Sequence, residues 1–234
     1  MTKVRVWHSK VQSSHLQTSA FTMLELVMVI VVLGILAAMA LPRLDRDLRQ
    51  EAADNLLSAI RYTQHMALID NKANPRRNDW QQALWQIRFS NWGGEWQYTV
   101  ASDSNHAGNL AQNESAIDPS SGKFMHTADA IMDNAESPNI FLTQKYGINN
   151  VIFNGCANGG PNAPAVGNSR HIAFDYLGRP HRAVTIGGNR DSRTVVTNGN
   201  CTITFTFLDA NINPIIIDIS RETGYVQIQD QNAS

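Results

Sequence analysis

Residues 21–41 read FTMLELVMVIVVLGILAAMAL, 21 mostly apolar positions with one charged side chain, Glu25. As a helix at about 1.5 Å per residue, this stretch is roughly 31 Å long, the thickness of a bilayer's hydrocarbon core. It predicts a membrane-spanning helix. The twenty residues before it carry Lys3, Arg5 and Lys10 and no acid, whereas the flank after it mixes Arg43, Arg46 and Arg49 with Asp45 and Asp47. That asymmetry predicts a cytoplasmic N-terminus and an outward-facing remainder. Without the first twenty residues the chain keeps 16 basic and 20 acidic side chains, a charge of −4.

The residues alone leave three readings open. A basic start, an apolar run and the small-residue site Ala38-Met39-Ala40 fit a secretory signal peptide cut after Ala40. The same run fits a plain uncleaved anchor. The third reading takes in what the other two leave aside: Glu25, a carboxylate near the start of the apolar run, needs a partner in a lipid setting.

Ala20-Phe21-Thr22-Met23-Leu24-Glu25-Leu26-Val27 resembles the class III signal of type IV pilins and type II secretion pseudopilins. The resemblance implies that a prepilin peptidase cuts between Ala20 and Phe21 and that Phe21 is then N-methylated. Glu25 falls fifth from the new terminus, Gly34 fourteenth and Pro42 twenty-second, where the family carries Glu, Gly and Pro. Ala20 departs from the usual Gly and keeps the site small. The resemblance also implies that Glu25 pairs with the Phe21 amine of a neighbouring subunit. Two charges that are each costly in an apolar medium offset one another. Pro42 removes a helical hydrogen bond and predicts a kink or loosening; Gly34 predicts the same or close helix packing.

Beyond Pro42 the spacing becomes that of an amphipathic helix. Leu44, Leu48, Ala52, Leu56, Ile60, Thr63 and Ala67 recur every three or four residues, which predicts one buried stripe. The charges Arg43, Asp45, Arg46, Asp47, Arg49, Glu51 and Asp54 form its solvated face. The helix ends near residue 69, before Asn71-Lys72-Ala73-Asn74-Pro75.

The remainder reads as strands and turns. Residues 85–89 and 96–100 flank Asn91-Trp92-Gly93-Gly94, a hairpin signal. Residues 171–175 lead through Tyr176-Leu177-Gly178-Arg179-Pro180 into a strand at 183–186. Residues 202–207 alternate Thr with Ile and Phe, as a half-buried strand does. Residues 215–220 and 225–229 enclose Arg221-Glu222-Thr223-Gly224, a second hairpin. The polar stretches 102–137 and 154–169 read as surface loops, mobile or contacting a partner.

This order resembles the H-type minor pseudopilins of type II secretion and their FimT-like pilus relatives, in which a long helix packs against two antiparallel sheets. The expected fold class is α+β: a long N-terminal helix, half membrane-spanning and half amphipathic, packed on a C-terminal antiparallel β-sheet head in the pilin manner. The expected segments are a cytoplasmic leader (1–20), a transmembrane helix (21–41), its amphipathic continuation (42–70) and a periplasmic β-rich head (71–234). The implied protein is a non-enzymatic minor subunit of a pseudopilus or pilus, single-pass in the bacterial inner membrane before extraction into the filament. Its partners are a prepilin peptidase, other pseudopilins or pilins and the inner membrane.

Composition and motifs exclude most other chemistry. With 43% hydrophobic and 17% charged residues and a net charge of −1, the 234-residue chain is neither a disordered acidic tail nor a polybasic nucleic-acid arm. No nucleophile elbow, phosphate loop or cofactor motif is present. His171 and His181 lack partners at metal-ligand spacing, so no metal site is expected. Asp209-x-Asn211-x-Asn213 begins like a calcium loop, but Pro214 and Ser220 stand where Gly and Glu are needed. Cys156 and Cys201 read as a disulfide if the head lies in an oxidising compartment, with two separate buried thiols as the alternative. Arg170, Arg179, Arg182, Arg190 and Arg193 face only Asp175 and Asp191 in their window, which keeps open a FimT-like role in which these arginines contact DNA phosphates. A signal-anchored periplasmic ligand-binding protein is the other alternative.

Overall fold

The computed structural model describes residues 22–74, 76–77, 80–156, 169–182, 195–196 and 199–229, with the backbone alone for 37–47, 169 and 182. The chain divides into two compact units, Met1–Arg43 and Leu44–Ser234. Helix α1 (Met23–Ile69) contributes its first turns to one and its last turns to the other.

In the first unit, all described side chains of residues 22–36 are exposed. The large apolar ones keep between 49% and 86% of their surface. Two expectations are corrected here. Among the described residues no helix is long and apolar enough to cross a membrane, so the single-pass inner-membrane placement, cytoplasmic N-terminus and periplasmic head do not stand. The fold class is corrected with it. Among the described residues there is no long apolar helix of the expected kind, and the folded unit is built on two antiparallel sheets of four strands each.

The first sheet has the order β2-β1-β4-β5, from β1 (Trp85–Trp92), β2 (Glu95–Ala101), β4 (Ser169–Phe174) and β5 (Pro180–Arg182). The hairpin between β1 and β2 closes at the Trp92–Glu95 pair. Gly93 and Gly94 have φ of 63° and 99°, and a two-residue hairpin loop of this kind needs positive φ at both positions. The second sheet has the order β3-β6-β7-β8, from β3 (Ile148–Asn154), β6 (Cys201–Phe207), β7 (Ile215–Ile219) and β8 (Val226–Ile228). In β6 the side chains of Cys201, Ile203, Phe205 and Phe207 are buried while the intervening threonines are half-buried, the alternation that the sequence predicts. The strand expected at 183–186 lies outside the described residues, and β5 sits just before it.

The sheets meet through aromatic side chains. Phe89 of β1 stands edge-on to Phe153 of β3 and Phe205 of β6, with ring centroids 5.9 and 5.4 Å apart, within the range in which such pairs attract. The predicted stripe of α1 closes the same core: Ala52, Leu56, Ile60, Thr63 and Ala67 are buried and Leu48 is partly so. Ala53 and Ala59 are buried beside that stripe. Polar side chains fix its position, Arg49 Nε donating to Asn213 O at 2.9 Å and Arg61 Nη2 to Val226 O at 2.9 Å. Arg61 thus holds the start of β8 and Arg49 the segment leading into β7, so Arg49 of the charged face is not purely solvated.

Residues 102–137, read as a surface loop, are in part built into the fold. Ala116 and Met125 are buried and hydrogen-bond each other and Val100, at 2.8 Å for Met125 N to Ala116 O, 2.8 Å for Ala116 N to Val100 O and 2.9 Å for Val100 N to Met125 O. The segment thus lines the outer edge of β2 and is carried on to α2 (Leu142–Tyr146). Most of the other polar stretch, 154–169, lies outside the described residues.

Candidate functional site

The start of α1 is a capping box. Thr22 Oγ1 accepts from Glu25 N at 3.2 Å, while Glu25 Oε2 accepts from Thr22 N at 3.1 Å and from Thr22 Oγ1 at 3.3 Å. Thr22-Met23-Leu24-Glu25 matches the Ser/Thr-x-x-Glu/Gln pattern whose two side chains satisfy helix-start donors reciprocally. Glu25 thus has a local task that the sequence reading did not assign, although its spacing from Thr22 signals it. Immediately after the box comes a helix apolar on all sides and exposed on all sides. Such a surface is stable only when covered.

Other residues singled out in the sequence fall as follows. Ala20 and Phe21 lie outside the described residues. A Cβ placed on Gly34 would meet nothing within 4 Å, so no close approach within this chain requires that glycine. Helix α1 runs without interruption through Pro42. Cys156 and Cys201 form a disulfide, with Cα atoms 4.4 Å apart, joining the ends of β3 and β6. Among the described residues no group of His, Cys, Asp or Glu could hold a metal ion. Asp209 Oδ1 accepts from Asn211 N and Nδ2 at 2.9 and 2.8 Å, an Asx turn that uses the first calcium-like ligand locally.

The arginine cluster is only partly visible. Arg190 and Arg193 lie outside the described residues, and so does the side chain of Arg182. Arg170 Nε donates to Val151 O at 3.0 Å, tying β4 to β3. Arg179 is held by Asp175, with Nε and Nη2 at 2.8 and 2.7 Å from Oδ2. Asp175 is buried and also accepts from His181 Nε2 at 3.0 Å and from the backbone N–H groups of Leu177 and Arg179 at 3.0 and 2.9 Å. Burial alone would push its carboxyl upward; the hydrogen bonds from His181 and Arg179 prevail and hold it well below the usual carboxylate range. The Tyr176-Leu177-Gly178-Arg179-Pro180 turn is therefore a folded knot around one carboxylate.

A second carboxylate organises residues 102–137. Asp118 is buried and accepts from Ser120 N, Ser120 Oγ and Asn139 Nδ2 at 2.8, 2.8 and 2.9 Å, from Ser121 Oγ at 3.1 Å and from Ser137 Oγ. Desolvation raises its pKa, but the donors at Ser137, Ser120 and Asn139 outweigh it and bring the carboxyl down to about 2. Asp118-Pro119-Ser120-Ser121 falls within the polar stretch that reads as a surface loop. Its partners Ser137 and Asn139 are too distant along the chain for a local pattern to reveal.

Compared with known proteins by sequence and by structure, the chain matches no family model, no curated protein and no solved structure.

Proposed function

We propose that this chain is a non-enzymatic structural subunit of a filament of the pseudopilus or type IV pilus kind, in a minor role, assembled after a prepilin peptidase cuts before Phe21. The observation that carries the reading is the exposed apolar helix at residues 23–36, headed by a carboxylate at Glu25. A fully apolar helix surface calls for cover by like surfaces, and bundled helices of other subunits supply it. Within such a bundle Glu25 needs a cation, and the amine that cleavage creates on a neighbour's Phe21 is the nearest in kind. The disulfide fits a compartment oxidising enough to keep it.

The reading in which arginines contact DNA has less support, since Arg170 and Arg179 already bond within the fold. Mass spectrometry of the N-terminus tests the proposal. N-methyl-Phe21 as the first residue supports it, whereas an intact Met1 or a start at Leu41 overturns it.

A further inference from the structure

One cleft in the second unit belongs to neither the filament reading nor the arginine turn. It has a volume of about 370 Å³ and opens between the face of α1 that carries Glu51, Asp54, Asn55, Ser58 and Tyr62 and the turn at Asp118-Pro119-Ser120. Its deeper wall is Tyr98, Met125 and Tyr146. Most of its edges are pinned: Tyr62 Oη donates to Ile117 O at 3.1 Å, and Asn55 Nδ2 to Asn139 O at 3.0 Å. The cavity is therefore largely preformed, a property of small-molecule sites.

Its charge is lopsided. Glu51, Asp54 and Asp118 line it against one ammonium, that of Lys145. Lys145 also shows how the cleft treats a cation. Its Nζ lies 3.0 Å from Glu51 Oε1 and 2.6 Å from Asn139 Oδ1, and 4.9 Å from the centroid of the Tyr146 ring, a carboxylate, an amide and a π-face together. Asp118 has its oxygens filled by five donors, so it contributes charge and not contact. Glu51 and Asp54 each use one oxygen on a neighbour, Oε1 on Lys145 and Oδ1 on Gln50 at 3.0 Å.

We infer that this cleft binds a small organic cation with an apolar body, its ammonium held at Glu51 and Asp54 and its body against Tyr62, Tyr98 and Met125. The volume accommodates one aromatic ring with a short amine arm. The inference is independent of filament assembly.

Calorimetric titration of the full chain at pH 7 with phenethylammonium, beside its neutral analogue 2-phenylethanol, tests it. The expected result is saturable one-to-one binding of the cation, about tenfold or more tighter than the alcohol, which is the factor that about 1.4 kcal/mol of charge pairing gives. Asp54→Asn, at an exposed helix position, weakens the cation by a similar factor and leaves the alcohol unchanged. Ser58→Trp, which fills the cleft from an exposed position, abolishes both. Absence of saturable binding overturns the inference, and so does equal affinity for cation and alcohol or full binding by Ser58→Trp with an unchanged melting temperature.

Discussion

Gln64 Nε2 donates to Gly178 O at 2.7 Å, so a side chain of α1 holds the turn between β4 and β5. The same amide lies 3.3 Å from Thr223 O in the turn between β7 and β8. One helix residue thus fastens a turn from each sheet. The approach is close enough to require glycine on both sides. A Cβ at Gly224 would stand 2.1 Å from Gly178 O and 2.6 Å from Gln64 Nε2, and one at Gly178 would stand 3.0 Å from Gln64 Nε2.

Gly224→Ala follows as a severe change, because φ at this position is 68° and the obstructing atom is backbone. The expected loss is about 2–4 kcal/mol, measured by chemical denaturation of the full chain. Gln64→Ala removes the hydrogen bonds but relieves crowding, so it costs less, about 1 kcal/mol. A Gly224→Ala variant as stable as the parent would show that the two turns do not approach as described.

The Asp118 carboxyl predicts a pH dependence with a defined sign. Its folded pKa, about 2, lies below its ordinary 3.8, so the stabilisation is complete above the unfolded value and disappears as pH falls through the folded one. Unfolding free energy should therefore drop between about pH 4 and pH 2, by about 2 kcal/mol from this group. Asp175 is depressed for a similar reason and adds to the same acid limb. In Asp118→Asn the acid-induced drop shrinks, because no carboxylate remains there to protonate. An unchanged drop in that variant would place the acid sensitivity elsewhere.

The elements legible in the sequence are those whose signal is local. The stripe Leu48, Ala52, Leu56, Ile60, Thr63 and Ala67 has helical period, and its members are buried or partly buried. Gly93 and Gly94 mark their hairpin because no other residue adopts their φ so cheaply. The segment 102–137 was opaque for the opposite reason. Its Ser, Asn and Asp are the residues of loops, yet Asp118 gathers Ser137 and Asn139 from about twenty positions away, and composition carries no sign of that. Asp175 is similar, since His181 reaches it only once the turn is closed. At the helix start, the apolar run and Glu25 were plain, but hydropathy hid the box that Thr22 makes with Glu25.

Gln86 of β1 is fully buried, and among the described residues neither its Nε2 nor its Oε1 has a hydrogen-bond partner. A buried amide left unsatisfied costs about 1–3 kcal/mol. Gln86→Met keeps the length and removes both polar atoms, and it is expected to raise the denaturation midpoint by an amount corresponding to about 1 kcal/mol. A fall of the midpoint would mean that the amide makes a contact that methionine cannot replace.

Glu25 is a partner in a capping box, and two substitutions separate that role from the charge for assembly proposed above. Gln at the third helical position preserves a capping box, so Glu25→Gln keeps the helix start and removes the negative charge. Thr22→Ala does the reverse, losing the reciprocal bonds at 3.1 and 3.2 Å while leaving the carboxylate, at a cost to the helix of about 1 kcal/mol. If an unpaired amine on a neighbouring subunit is what Glu25 meets, Glu25→Gln abolishes co-purification with other filament subunits while circular dichroism stays the same, and Thr22→Ala still co-purifies. If instead the carboxylate serves only the helix start, the order reverses: Glu25→Gln assembles as the parent does and Thr22→Ala is the defective one.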